Sequence, residues 1–163
     1  PGRGGREFPE PGAIYRSNDG ETWENILTVP LRYPGEFAVD PTDPDVIYLA
    51  AHTAPAFEEG GLYVTTDGGA TWERFLTNED FVGKGGPSWA TPLFLTMDPD
   101  DPGTLYMGTD GHGLWTSRDR GRTWEQLEGV PFGNIHRVDF DPDDHDKVYI
   151  TTFGGGVWVG PRP

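Results

Sequence analysis

Apolar residues fall in short runs rather than in helical stripes. Val46 to Leu49, Leu62 to Thr65, Thr104 to Met107, Leu114 to Thr116, Val148 to Thr151 and Val157 to Val159 are rich in β-branched and aromatic residues. Each is bounded by Gly, Pro, Asp or Asn, and each has the length of a strand. Nothing along the chain resembles a helix of ordinary length. The pattern therefore predicts an all-β protein.

Two markers recur between these runs. Thr65-Thr66-Asp67-Gly68-Gly69-Ala70-Thr71-Trp72 and Ser117-Arg118-Asp119-Arg120-Gly121-Arg122-Thr123-Trp124 share the pattern Ser/Thr-x-Asp-x-Gly-x-Thr-Trp. A third copy, Arg16 to Trp23, keeps Gly20, Thr22 and Trp23 in register but places Asn18 in the Asp slot and Arg16 in the Ser/Thr slot. The three tryptophans are 49 and 52 residues apart. The second marker is Asp-Pro followed by Tyr, with a spacing of 8 from Asp to Tyr in Asp40 to Tyr48, Asp98 to Tyr106 and Asp141 to Tyr149.

A period near 50 residues with four short antiparallel strands per period, A to D, is the pattern of a propeller blade. The Asp-Pro marker is the A to B turn and the octapeptide the C to D turn. Residues 1–12 read as a truncated loop or tail and 13–163 as a partial β-propeller of about three to three and a half blades. Within it, 13–27 supplies strands C and D, 35–77 and 91–127 one complete blade each, and 135–159 strands A to C of a last blade. Closed rings typically use four to eight blades, so these 13 strands cannot close one alone. The expectation is the C-terminal part of a longer propeller, cut in a B to C loop, its missing blades and outer strand coming from the absent N-terminal region. Self-association of open arcs is the alternative.

The octapeptide resembles the Asp-box, or bacterial neuraminidase repeat, and the chain is similar over nearly its full length to consecutive blades of the sialidase, xyloglucanase and sortilin-like propellers. Asp67 and Asp119 match the motif's acid, Gly69 and Gly121 its turn, and Trp72 and Trp124 its closing aromatic, with Asn18, Gly20 and Trp23 in the decayed copy. The chemistry of these residues is structural. Asp bonds backbone donors ahead of it, and Gly accepts positive φ. A fold resemblance does not carry catalysis.

Composition narrows the function classes. Gly and Pro make up 40 of 163 residues, about a quarter, yet 21 are aromatic, which disordered chains are not. The formal net charge is −15, so a general affinity for nucleic acid or for anionic membranes is disfavoured and a basic partner is favoured, and apolar runs of only a few residues argue against insertion into a membrane. The absence of Cys removes disulfides, thiolate metal sites and a cysteine nucleophile. The acidic turn Asp141-Pro142-Asp143-Asp144-His145-Asp146 is a candidate for structural calcium, though Asp-Pro turns form without metal, and neither a cofactor nor a catalytic metal is expected.

Spacings locate a candidate ligand face. Tyr to octapeptide Asp is 19 residues in one blade and 13 in the next, and octapeptide Trp to the next Asp-Pro is 17, 26 and 17. The insertions, 51–61 and 78–92, fall on the B to C and D to A end, opposite the octapeptides. Loops on a rigid scaffold are where binding resides. They carry His52, Phe57, Glu58 and Glu59, and Asp80, Phe81 and Trp89. Shorter loops there add Asp110, His112 and His136, with Phe153. Aromatics interleaved with carboxylates suit a carbohydrate. The resemblance implies a secreted or periplasmic glycoside hydrolase or sialidase-like protein, or else a non-catalytic sortilin-like or assembly-factor-like propeller that binds protein or glycan. Sialidase chemistry lacks its Arg-Ile-Pro signature here. Xyloglucanase chemistry needs two opposed carboxylates, for which Glu58, Glu59, Asp80 and Asp110 are available, and no residue is assigned as catalytic.

Overall fold

A computed structural model describes residues 12–29, 31, 34–51, 60–77, 80 and 92–163. Among them, strands form four antiparallel sheets. The first holds β1 (Tyr15–Arg16) and β2 (Glu24–Asn25). The second is β3 (Pro34–Asp40), β4 (Asp43–Ala51), β5 (Gly61–Thr65) and β6 (Glu73–Thr77), each paired with the next. The third repeats that order with β7 (Pro92–Met97), β8 (Leu105–Thr109), β9 (Leu114–Ser117) and β10 (Glu125–Gln126). The fourth is β11 (Ile135–Phe140), β12 (Lys147–Thr152) and β13 (Gly156–Pro161). The innermost strands stand side by side, with β7 against both β3 and β11. The protein is a partial β-propeller.

Three apolar seams hold the sheets together. Leu27, Leu31, Leu49 and Tyr63 fill the first; Tyr48, Leu62, Leu95, Met107 and Trp124 belong to the second; Phe94, Tyr106, Leu114, Val138 and Val148 lie in the third. A strand between two neighbours serves both, so β8 is buried at every position, with Leu105 and Met107 facing the second sheet and Tyr106 the fourth. Such a strand reads as an unbroken apolar run instead of an alternating one.

The ends of the array lack this cover. Phe37, Leu95 and Val138 all lie three residues before the Asp-Pro aspartate of their blades. Leu95 and Val138 are 2% and 0% exposed, Phe37 54%. Among the described residues, the sheet before Phe37 has only β1 and β2.

The C to D turns show why the octapeptide has its residues. Asp67 accepts from the Thr71 amide at 2.8 Å and the Thr71 hydroxyl at 2.6 Å, and Thr65 Oγ1 donates to it while accepting from the Gly69 amide. Asp119 does the same with Thr123, Ser117 and Gly121. Gly69 and Gly121 have φ of +97° and +86°, and a Cβ on them would come within 2.7 Å of Ile26 and 2.6 Å of Phe75 in the preceding sheet. Glycine there serves both the turn and the seam.

The first copy requires a correction. Asn18 does not take the acid's place; Asp19 does, accepting from the Thr22 amide and hydroxyl at 2.7 Å each and from Ser17 Oγ at 3.0 Å. This turn is one residue shorter between acid and Gly20, so matching from Trp23 backwards shifts the acid by one. Trp23 also differs from its counterparts. It is 61% exposed, whereas Trp124 is buried in a seam and Trp72 donates from its indole to the Ile26 carbonyl of the preceding sheet at 2.8 Å.

Candidate functional site

Each of the last three sheets has two ends of different character. At one, the A to B and C to D turns are tied by a backbone bond: the Gly68 amide to Asp45 oxygen, Arg120 to Gly103 and Arg162 to Asp146, at 2.9, 2.9 and 2.7 Å. This end is rich in carboxylates, and several of them are engaged by protein partners within their own sheet or from the next one. Asp141 accepts from Tyr149 at 2.9 Å and pairs with Lys147 at 2.5 Å, so its carboxyl is lowered to about 2 by Lys147 first, then by the Asp143 amide and Tyr149. His145 Nδ1 meets Asp100 at 2.8 Å and Asp146 lies 3.5 Å from Arg162. Among the described residues no group of three or more His, Asp or Glu is placed to hold a metal ion.

The opposite end is built from the B to C turns and D to A connections. Backbone bonds from the Gly113 amide to the Gly133 oxygen at 2.7 Å and from Phe153 to Asn134 at 3.2 Å tie the loops of neighbouring sheets into one surface. Phe153 is 75% exposed and stacks on the exposed His136, with ring centres 5.8 Å apart and planes at 21°. Beside them Phe132 packs on Trp158 at 4.6 Å. Pro131, Phe132, Asn134, Thr152 and Phe153 line an open depression of about 320 Å³ between these loops.

The structure thus brings His136 and Phe153 together. Asp110 is exposed on the neighbouring B to C turn. His112, half-buried, serves this end through its carbonyl, which accepts from Trp115 Nε1 at 3.1 Å and Gln126 Nε2 at 3.0 Å. The Asp80 carboxylate is engaged by its own turn, accepting from the amide and hydroxyl of Thr77 at 3.0 and 2.7 Å. His52, Phe57, Glu58, Glu59, Phe81 and Trp89 lie outside the described residues. Phe132 and Trp158 were not singled out in the sequence, although Trp158 holds the place of Trp115: each indole donates to the carbonyl three residues earlier, Gly155 and His112.

The likeness to solved structures extends over nearly the whole chain. It matches a GH74 enzyme of Niastella koreensis with a TM-score of 0.69 at 23% identity, over 93% of this chain and 25% of that one. The GH74 xyloglucanase of Xanthomonas campestris matches with a TM-score of 0.63 at 23% identity, over 93% of this chain and 26% of that one. YCF48 bound to D1 peptide matches with a TM-score of 0.55 at 18% identity, over 85% of this chain and 42% of that one. No family model and no curated protein matches the sequence. At these identities the shared property is the fold, and the chain spans about a quarter of the length of the GH74 structures.

Proposed function

We propose that the chain is part of an extracytoplasmic Asp-box repeat propeller of carbohydrate-active, glycoside-hydrolase-like character, completed by further blades, whose loop end opposite the Asp turns binds glycan. The stacked and exposed Phe153–His136 pair beside the Asn134 depression carries this reading. A sugar ring lies flat on an aromatic face, and its hydroxyls bond to neighbouring polar groups such as Asn134 and Thr152. Asp110 is an exposed acid of that end, the sequence offers Glu58, Glu59 and Asp80 besides, and catalysis needs two carboxylates opposed across a glycosidic bond. Similarity to a xyloglucanase makes xyloglucan oligosaccharides the first probe, and sialosides the second.

The test is calorimetric titration of the chain with xyloglucan oligosaccharides and sialyllactose, repeated with Phe153→Ala. Binding to one of them that falls about tenfold in the variant, at unchanged melting temperature, supports the reading, a factor worth about 1.4 kcal/mol. Binding to neither, or binding indifferent to Phe153, overturns it.

A second reading, a non-catalytic propeller that binds a protein, rests on the likeness to YCF48 in its complex with D1 peptide. The charge of −15 favours a basic segment for such a partner. Binding of a Lys/Arg-rich peptide that weakens with salt, with no glycan binding, supports it.

A further inference from the structure

The seams between sheets carry a polar rule beside the apolar one. Arg120 and Arg162 occupy the same place, since the amide of each bonds the carbonyl three residues before a B-strand tyrosine, Gly103 before Tyr106 and Asp146 before Tyr149. Each sends its guanidinium back to the Asp-Pro aspartate of the preceding sheet. Arg120 Nη1 meets Asp40 at 3.2 Å, and Arg162 Nη1 meets Asp98 at 3.1 Å. Both carboxylates are buried, with side chains 1% and 5% exposed.

The third such aspartate, Asp141, lies in the last described sheet. Its cation is Lys147 of its own sheet, at the position of Val46 and Thr104 in the other two. The outward face beside it repeats an apolar pattern that elsewhere is covered. Val157 pairs with Thr151 as Leu62 pairs with Ala50 and Leu114 with Gly108. Leu62 and Leu114 are 0% exposed and Val157 68%, and Val159 two residues on is 60% exposed. An apolar surface continuous with the pattern of two internal seams, bordered by the same acid, marks an interface.

We propose that the outward face of the fourth sheet docks a further four-stranded blade, which covers Val157 and Val159 and brings an arginine from its C to D turn to Asp141. Lys147 holds that carboxylate when the blade is absent. The proposal rests on the reading of the chain as part of a larger propeller and adds which chemistry the next blade must present.

The experiment compares the chain with a version extended after Pro163 by a second copy of residues 120–163. The extension supplies an outer strand for the fourth sheet and then a further set of strands A to C ending in a copied Arg162. Docking is read as a single melting transition and as protection of the extension from protease. Lys147→Thr, made in both, reads the charge. A docked extension with a melting temperature that Lys147→Thr lowers by several degrees in the parent, and by less than half as much in the extended chain, supports the proposal. A docked extension with equal losses overturns Asp141 as the anchor and leaves the larger-propeller reading standing. An extension trimmed back to Pro163 with the parent melt unchanged overturns the docking itself. Arg→Ala at the copied Arg162 is the second variant: it is expected to restore the full loss on Lys147→Thr, and no effect there counts against the proposal.

Discussion

Arg120 places its guanidinium 3.2 Å from the buried carboxylate of Asp40, 80 residues earlier, from a backbone with φ of +61°. The corresponding residue of the second sheet is Gly68, at φ of +67°. A side chain in the left-handed region costs about 1–2 kcal/mol, so the contact offsets a local strain.

Arg120→Ala keeps the strain and removes the partner of a buried acid. A loss of about 1–2 kcal/mol in urea unfolding is expected, the exposed half of the arginine keeping it below the cost of stripping a buried pair. Arg120→Gly relieves the backbone and is expected to lose less. A larger loss for glycine than for alanine would refute this division.

Acid sensitivity follows from the turns. Asp67 is lowered from 3.8 to about 2, by the Thr71 hydroxyl first and its amide next, and Asp119 to about 2, by the Thr123 amide and then its hydroxyl. A carboxyl with a depressed folded pKa adds stability that is complete above pH 3.8 and is lost as pH falls towards 2. The melting temperature is expected to drop steeply across that window. Asp119→Asn is expected to start several degrees lower at neutral pH and to fall less between pH 4 and 2, while glycan affinity at neutral pH stays unchanged.

The shortened first turn gives a direct contrast. Asp19→Ala removes four hydrogen bonds, so the turn is held less firmly and the melting temperature falls; Asn18→Ala leaves those bonds intact and is expected to be neutral. The reverse order in a thermal melt would restore Asn18 to the acid's slot.

Val157 and Val159 lie on an exposed strand edge, the kind of surface that recruits other chains. Light scattering of the chain alone is expected to show oligomers, and Val157→Lys with Val159→Glu to shift them towards monomer. A monomeric parent at high concentration would contradict this.

The architecture was legible because it repeats. The Asp to Tyr spacing of 8 is a hydrogen bond in the last sheet, where Tyr149 donates to Asp141 across β12. Tyr48 and Tyr106 stand beside Asp40 and Asp98, their phenols raised by burial, with those carboxylates adding to it. The seam pairs were not legible. Arg120 with Asp40 and Arg162 with Asp98 join residues 80 and 64 apart, and no local pattern marks which of many acids an arginine meets. Turn matching failed at Asn18 because one deleted residue leaves Trp, Thr and Gly aligned while moving the acid. At the loop end, Phe153 and His136 stood out as aromatics in short loops. Phe132 did not, because only packing on Trp158 across the fourth sheet gives it a place there.

The buried Asp-Pro acids of the second and third sheets are each answered by an arginine of the sheet that follows, Asp40 by Arg120 and Asp98 by Arg162. Trimming from the C-terminal side therefore abandons a shielded carboxylate at every new boundary, where water must be let in to accommodate it. Trimming from the other side leaves an arginine, which simply swings into solvent. The two cut faces of such an array are therefore chemically unequal, one bare acid and the other bare base.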